Sequence, residues 1–370
     1  MRVSRTLAVS IAGEIALYTG IGFLAFVVVM LAQNLAQRLP ALAAVGFAWG
    51  DLFRLLWVLM PLVTAYSIPV GFLFGVLAAV ARLSGDAEVV AMRACGLGPG
   101  VLLGPAMALA VLVTACTGVL MVHGEPASRR AMRQVLAEVA SRGGLLEPGR
   151  FRAIGPRVVF VQARDRDNRL RRILVSDRSD ARRPFLVFAE QGRFSFDSAT
   201  TTIRLELERG EVHIETGDAD RHQRIVFDRF DYAIDASALF DHDGRVRPRE
   251  MTFAGLRETL AALERGAPAG NGRDPNDFRA QYHRRLALPF APLPFAALGV
   301  ALGVRRTRGA RSWGFLVCAL LTTGYYLLLS FGEFLGESGR VPAALALWIP
   351  NLAFAATAVA LLWRMRRGET

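Results

Sequence analysis

The charged residues with the most telling spacing lie in one stretch, Arg82 to Pro99 (RLSGDAEVVAMRACGLGP), set between two long apolar runs. Arg82, Ser84, Asp86 and Glu88 open it. Val89, Val90, Met92 and Cys95 follow with Arg93 among them, and Gly96 and Gly98-Pro99 close it. Acidic residues in a first helical turn complement the positive end of the helix dipole, and Ser84 has the chemistry of an N-cap. Glycine followed by proline is a stop signal. The spacing predicts a short charged helix, too small to be a domain. Its chemistry is ion pairing and docking: a plug for a groove on a partner. Taken alone, the stretch reads more simply as an interfacial turn joining two spans, and the rest of the chain shifts that balance.

Bond-making chemistry lacks its residues. The chain has no GxxxxGK[ST] phosphate loop, no HExxH, no paired CxxC and no GxSxG. His123, His213, His222, His242 and His283 are scattered and read as surface polar residues. Cys95, Cys116 and Cys318 form neither a disulfide framework nor a metal spacing. Glu14 and Glu333 sit near the ends of apolar runs, too few carboxylates for a proton relay. A secondary transporter or an intramembrane enzyme therefore fits poorly. The chain is expected to be no enzyme and to hold no metal or cofactor of its own.

The elements that must position the charged stretch are membrane spans. Of 370 residues, 53% are hydrophobic, and several apolar runs exceed the length that marks a membrane helix. Spans are expected at about Ile15–Leu35, Leu52–Ala81, Val101–Val122, Leu286–Val304, Trp313–Gly332 and Ala343–Trp363. The second is long enough to tilt or overhang, and Pro61 and Pro69 can kink it. Arg2 and Arg5 precede an apolar run too long for a signal-peptide core, so no cleavable signal is expected. The net charge is +12, and every basic residue is arginine. Arginine keeps its charge when partly desolvated and grips phosphate and carboxylate through a planar fork, so anionic lipid suits this chain. Nucleic acid does not, because no binding motif accompanies the charge.

Arginine placement sets orientation. Arg2 and Arg5, then Arg82 and Arg93, then Arg305, Arg306, Arg308 and Arg311, then Arg364, Arg366 and Arg367 all fall on one side if there are six spans. That side is expected to be the cytoplasm. From His123 to about Arg249 the character changes. After a short helix at Arg129–Arg142, residues alternate at period two in Arg157–Ala163, Arg171–Ser176, Phe185–Phe196, Thr202–Glu215 and Arg224–Ile234. Gln191-Gly192 and Arg209-Gly210 mark tight turns or bulges. An antiparallel β domain outside the cytoplasm follows, a sandwich or jelly roll. Thr252–Arg265 is helical and Gly266–Asp274 a linker. The expected fold is an α-helical membrane protein of six transmembrane helices (3+3) with an inserted all-β, jelly-roll-like periplasmic domain. Residues 1–122 hold spans one to three with the short helix at 82–99, residues 123–277 the β domain and linker, and residues 278–370 spans four to six.

Three runs carry a family resemblance. Arg82–Gly96 resembles a cytoplasmic coupling segment, Tyr282-His283-Arg284-Arg285-Leu286-Ala287-Leu288-Pro289 an "hkRla-P" run at the fourth span, and Ala346-Leu347-Trp348-Ile349-Pro350-Asn351 a "W-x-P-N" run in the sixth. Together, in this order and with the 3+3 layout, the chain resembles the lipopolysaccharide export permeases, LptF/LptG (YjgP/YjgQ). The resemblance implies a permease half of an ABC-type transporter in the inner membrane of a Gram-negative bacterium. It implies four partners: a paralogous permease subunit, a cytoplasmic ABC ATPase dimer that uses ATP, a periplasmic jelly-roll bridge protein, and lipopolysaccharide. Arg82, Asp86, Glu88, Met92 and Arg93 would then couple to the ATPase. Arg38, at the outer end of span one, and Arg54, near the start of span two, would meet lipid phosphates or serve as plain interface anchors. A different reading keeps the architecture without transport: a membrane-anchored interaction protein whose β domain binds a periplasmic partner.

Overall fold

The structure, a computed structural model, describes residues 5–45, 49–98, 100–139, 148–154, 156–165, 169–180, 184–197, 202–215, 222–235, 247–266, 274–304 and 310–367. In chain order the elements are α1 (Arg5–Val45), α2 (Trp49–Gly85), α3 (Glu88–Ala94), α4 (Gly100–Val119), a π-helical turn (Leu120–Gly124) and α5 (Glu125–Val139). Strands follow: β1 (Phe151–Ile154), β2 (Arg157–Arg164), β3 (Arg169–Asp177), β4 (Phe185–Asp197), β5 (Thr202–Glu215) and β6 (His222–Asp235). After a 3-10 turn at Pro248–Glu250 come α6 (Phe253–Glu264), α7 (Pro275–Ala287), a 3-10 turn at Leu288–Phe290, α8 (Pro292–Gly303), α9 (Ala310–Glu337) and α10 (Ala343–Arg367). Two compact units result: Met1–Gln33 with Leu59–Arg129 and Arg247–Thr370, and Asn34–Val58 with Arg130–Val246.

Apolar runs become helices because backbone groups without water must bond within their own segment. Among the described residues, six helical stretches are long and apolar enough to cross a membrane: Arg5–Gln37, Trp49–Gly85, Gly100–Val135, Pro275–Gly303, Gly314–Glu337 and Ala343–Met365. The helix of the first runs well past the expected end at Leu35, through Pro40 to Val45. In the helical unit, α2 and the α7–α8 stretch are the central elements. Of their apolar windows 72% is buried, against 17–28% in the other four. Paired glycines bring the backbones close. A Cβ on Gly71 or Gly75 would lie 2.6 Å from the backbone nitrogen of Phe23 or Thr19 on α1. On α8, Gly299 and Gly303 seat Val76 and Val80 of α2 in the same way. Without a hydrophobic drive between helices in lipid, such close packing supplies much of the association.

The strands form one six-stranded antiparallel sheet in the order β1-β2-β3-β4-β5-β6. Jelly-roll connectivity, with its Greek-key returns, is not what the described strands show: each pairs with its sequence neighbours in a meander. Gln191-Gly192 and Arg209-Gly210, expected as turns or bulges, lie in mid-strand. What they mark is a crease. The ladder skips Gln162 opposite Arg172, Arg172 opposite Glu190, Glu190 opposite Arg209 and Arg209 opposite Asp228, with register unchanged on either side. Arg172 and Arg209 adopt left-handed φ of 50° and 53° there. Beside the crease, a Cβ on Gly210 would strike the Phe188 carbonyl at 2.1 Å, which requires glycine. Burial changes phase across this line: Ile173 and Val175 face inward on one side and Leu170 on the other, as do Val187 and Ala189 against Phe194.

The sheet thereby folds onto itself. Tyr232 on β6 donates its hydroxyl to Asp177 on β3, although β3 and β6 are not neighbours in the sheet. Arg157 Nε donates to the same carboxylate at 2.9 Å and the Ser179 amide at 2.7 Å. Burial would raise the Asp177 pKa, but the hydrogen bonds from Ser179, Tyr232 and Arg157 outweigh it and hold the carboxyl well below the usual carboxylate range. Between the halves, Val175, Val187, Ile203, Leu205, Leu207 and Ile234 are fully enclosed. Of the short helices, Thr252 caps α6 through a bond from the Gly255 amide at 3.1 Å, while residues 267–273 of the expected linker lie outside the described residues.

Candidate functional site

The charged stretch takes shape as a corner between α2 and α4. Arg82 belongs to the last turn of α2, and its guanidinium gathers three carboxylates: Glu14 of α1 at 2.8 Å, Glu88 at 3.2 Å and Asp86 at 3.5 Å. Ser84 is not an N-cap. It is buried in α2, its hydroxyl donates to the Val304 carbonyl at 3.1 Å, and no side chain caps α3. The chain turns instead at Ala87, with a left-handed φ of 59°. Helix α3 buries Val89 among Leu83, Val101 and Leu102, with Met92 and Leu97 packed against them. Glu88, Val90 and Arg93 are on the exposed side. Of the five expected coupling residues, Arg82, Asp86 and Glu88 thus form one ionic group, and Met92 anchors the helix. Arg93 is exposed, with no ion pair among the described residues.

Of the two expected lipid contacts, only the Arg54 side chain lies within the described residues. Arg54 donates to Glu138 of α5 at 2.5 Å, so a carboxylate of the chain itself meets this guanidinium. Arg38 lies on the α1 backbone, but its side chain falls outside the described residues.

A second constellation is buried in the helical unit, and the sequence reading passed over it as a site. Arg285 of α7 has a fully enclosed side chain. Its guanidinium donates to the carbonyls of Met251 at 2.7 Å and Arg249 at 2.9 Å. Glu125, at the start of α5, is also buried and accepts two bonds from Arg129, at 3.0 and 2.9 Å. Arg284 donates to the Tyr66 hydroxyl at 2.7 Å and stands 3.6 Å from Glu333, which pairs with Arg249 at 2.6 Å. Asn351 joins the same helix: its amide donates to the Ala287 carbonyl at 2.7 Å and accepts from Tyr325 at 3.0 Å.

Proline explains the last contact. Pro292 offers no N–H to the Leu288 carbonyl, so Ala291 donates there at 3.1 Å, in 3-10 fashion. With Ala291 turned to Leu288, the Ala287 carbonyl is not taken up by the amide four residues on, and it accepts the Asn351 amide. The two runs picked out in sequence at the fourth and sixth spans therefore touch each other. The signal that would have found Arg285 is helical spacing. Phe278, Gln281, Arg285 and Leu288 share one buried stripe of α7, and an arginine there has to find partners inside.

Six membrane-length apolar helices with an antiparallel β domain between the third and the fourth define a multi-pass membrane protein carrying an inserted β domain. The match to known proteins is equally extensive. The family model for "Lipopolysaccharide export system permease LptF/LptG" matches residues 10–364, and the chain belongs to that family. Among curated relatives it is similar to the lipopolysaccharide export system permease protein LptF of Escherichia coli strain K12 and to that of Shigella flexneri. Each is 25% identical, over 90% of this chain and 88% of the relative.

Proposed function

We propose that this chain is the permease half of an ABC-type transporter that extracts lipopolysaccharide from the inner membrane and passes it to a periplasmic bridge towards the outer membrane. The observation that carries this reading is the family match across residues 10–364, which takes in both sets of membrane helices and the β domain. The energy comes from ATP hydrolysed by a separate cytoplasmic ATPase dimer, since this sequence has no phosphate loop. Helix α3 is the docking element for that ATPase. It is fixed to the helical unit by Val89 and presents Glu88, Val90 and Arg93 outward.

A paralogous permease subunit completes the pair. The outer faces of α1 (Leu17, Ile21, Leu24, Val28) and α9 (Phe315, Leu320, Leu327, Phe331) are apolar and exposed, as a companion subunit or acyl chains require. The arginine groups support an orientation with α3 and both termini in the cytoplasm and the β domain in the periplasm, where a jelly-roll bridge protein would meet it. Lipopolysaccharide is the cargo, with Arg38 and Arg54 at the outer rim as proposed contacts for its phosphates.

Reconstitution of the chain with a companion permease, the ATPase and the bridge protein tests this. ATP-dependent movement of lipopolysaccharide onto the bridge is the expected result. ATP hydrolysis with no such movement would reject the transport reading and favour a scaffold. Orientation is checked by cysteine labelling at Ser198 and Ser312 in intact cells. Position 198 should label from outside and position 312 should not.

A further inference from the structure

We infer that Arg285 and Glu125 are positioning residues for lipid transfer: together they form a two-position ionic latch on the strap at residues 248–251. This assignment rests on the function proposed above. The strap is the segment by which the chain returns from the strands to the last helices, and Glu125 opens the segment by which it leaves. Both segments meet one guanidinium. Arg285 holds the strap through the Met251 and Arg249 carbonyls, with Pro248 O a further 3.5 Å contact.

The geometry toward Glu125 is unfinished. Arg285 Nε and Glu125 Oε2 face each other at 3.9 Å. Both atoms are buried, and neither has a hydrogen-bond partner among the described residues. They are about 1 Å short of the 2.7–2.9 Å of a charge-assisted hydrogen bond. Beside them, Arg284 Nε and Nη1 and both amide atoms of Gln281 are also buried without a hydrogen-bond partner among the described residues, Arg284 Nε having only Glu333 at 3.6 Å. A buried polar network with this much unused capacity has a second arrangement within reach. In that arrangement the Arg285 guanidinium closes onto Glu125 and slackens its hold on the strap carbonyls. A site needed only for stability would be served as well by apolar side chains of similar volume. A bistable contact between two chain segments is what a transport cycle can bias.

The test uses the full chain assembled with its companion permease and ATPase in proteoliposomes. Amide exchange of residues 247–252 is followed with and without trapped nucleotide, alongside lipopolysaccharide transfer and ATP hydrolysis. In the unaltered complex, strap exchange should differ about tenfold between the two nucleotide states. Glu125→Gln and Arg285→Lys should each erase that difference and cut transfer about tenfold while ATP hydrolysis persists. Equal exchange in both states of the unaltered complex, as a fixed bridging water would give, overturns the latch. Full transfer in both variants does the same, and so does failure of both variants to assemble, which would assign the pair to folding alone. If the unaltered complex moves no lipid while its strap still switches, the transport reading falls and the latch stands.

Discussion

Arg82 and Arg285 belong to the same helical unit and are opposite in kind. Arg82 is 43% exposed and has three carboxylates around it. Arg285 is fully enclosed, with one carboxylate at 3.9 Å and backbone carbonyls as its firm partners. The carboxylate-rich arginine has the weaker hold on the fold. Exposed ion pairs contribute about 0–1 kcal/mol, because water screens them and long side chains lose freedom to form them. Removing one member of a buried set strands the others without water, at about 3–5 kcal/mol. The number of charges around an arginine therefore says little, and the solvent it has given up says a good deal.

The sharpest way to break this contrast is Arg285→Ala. It strips the Met251 and Arg249 carbonyls of their guanidinium donor and removes the cation facing Glu125, and should destabilise the helical unit by about 3–5 kcal/mol. Thermal unfolding of the detergent-solubilised protein measures it, and a loss no larger than that of Arg82→Ala would dissolve the distinction. Next in size is Glu88→Ala with Arg93→Ala. Folding should hardly notice, whereas a partly desolvated ion pair at the ATPase interface would cost about 2–5 kcal/mol on losing one partner. ATPase retention on purification reads this, and normal retention together with normal lipid export would remove α3 from the coupling role.

A middle case lies in the β domain, where Asp177 is buried but fully bonded. Its folded pKa is depressed, so its contribution is complete above the ordinary carboxylate pKa near 4 and is lost as pH falls through the depressed value. Asp177→Asn should lower stability at neutral pH by about 1–3 kcal/mol, and its disadvantage should shrink in strong acid. A disadvantage constant down to low pH would contradict the ionised, hydrogen-bonded carboxylate. Arg82→Ala comes last: its unfolding temperature should barely move in the same experiment, with membrane insertion intact, because solvent screens its carboxylates.

What the sequence disclosed follows the same division. Spans and strands repeat at fixed periods, so the six apolar helices and β2 to β6 were legible, whereas β1, at four residues, is too short to show a period. The charge of α3 stood out because apolar runs flank it. Ser84 misled because cap chemistry is local, while the continuation of α2 to Gly85 is settled by packing against Val304 and the α4 end. Arg285 was hidden by its neighbours: after His283 and Arg284 it looks like one more polar residue at the mouth of a span. Only the pairing of α7 with the strap and with Glu125 shows that it points inward, and those partners lie 34 residues or more away in the chain.

The crease in the β-sheet has a mechanical consequence. A sheet bent along one row of residues without a change of register resembles a book with an intact spine. Its pages are stiff in their own plane, because the strand ladder resists shear. Parting them breaks no ladder bond and asks only for the face-to-face contacts to yield, among which the Tyr232–Asp177 bond is a clasp. Strands held in two separate sheets would have no shared spine and would need connecting loops to keep their alignment. Were the pages to part along this spine, the unbroken register would bring the same residues to face each other again.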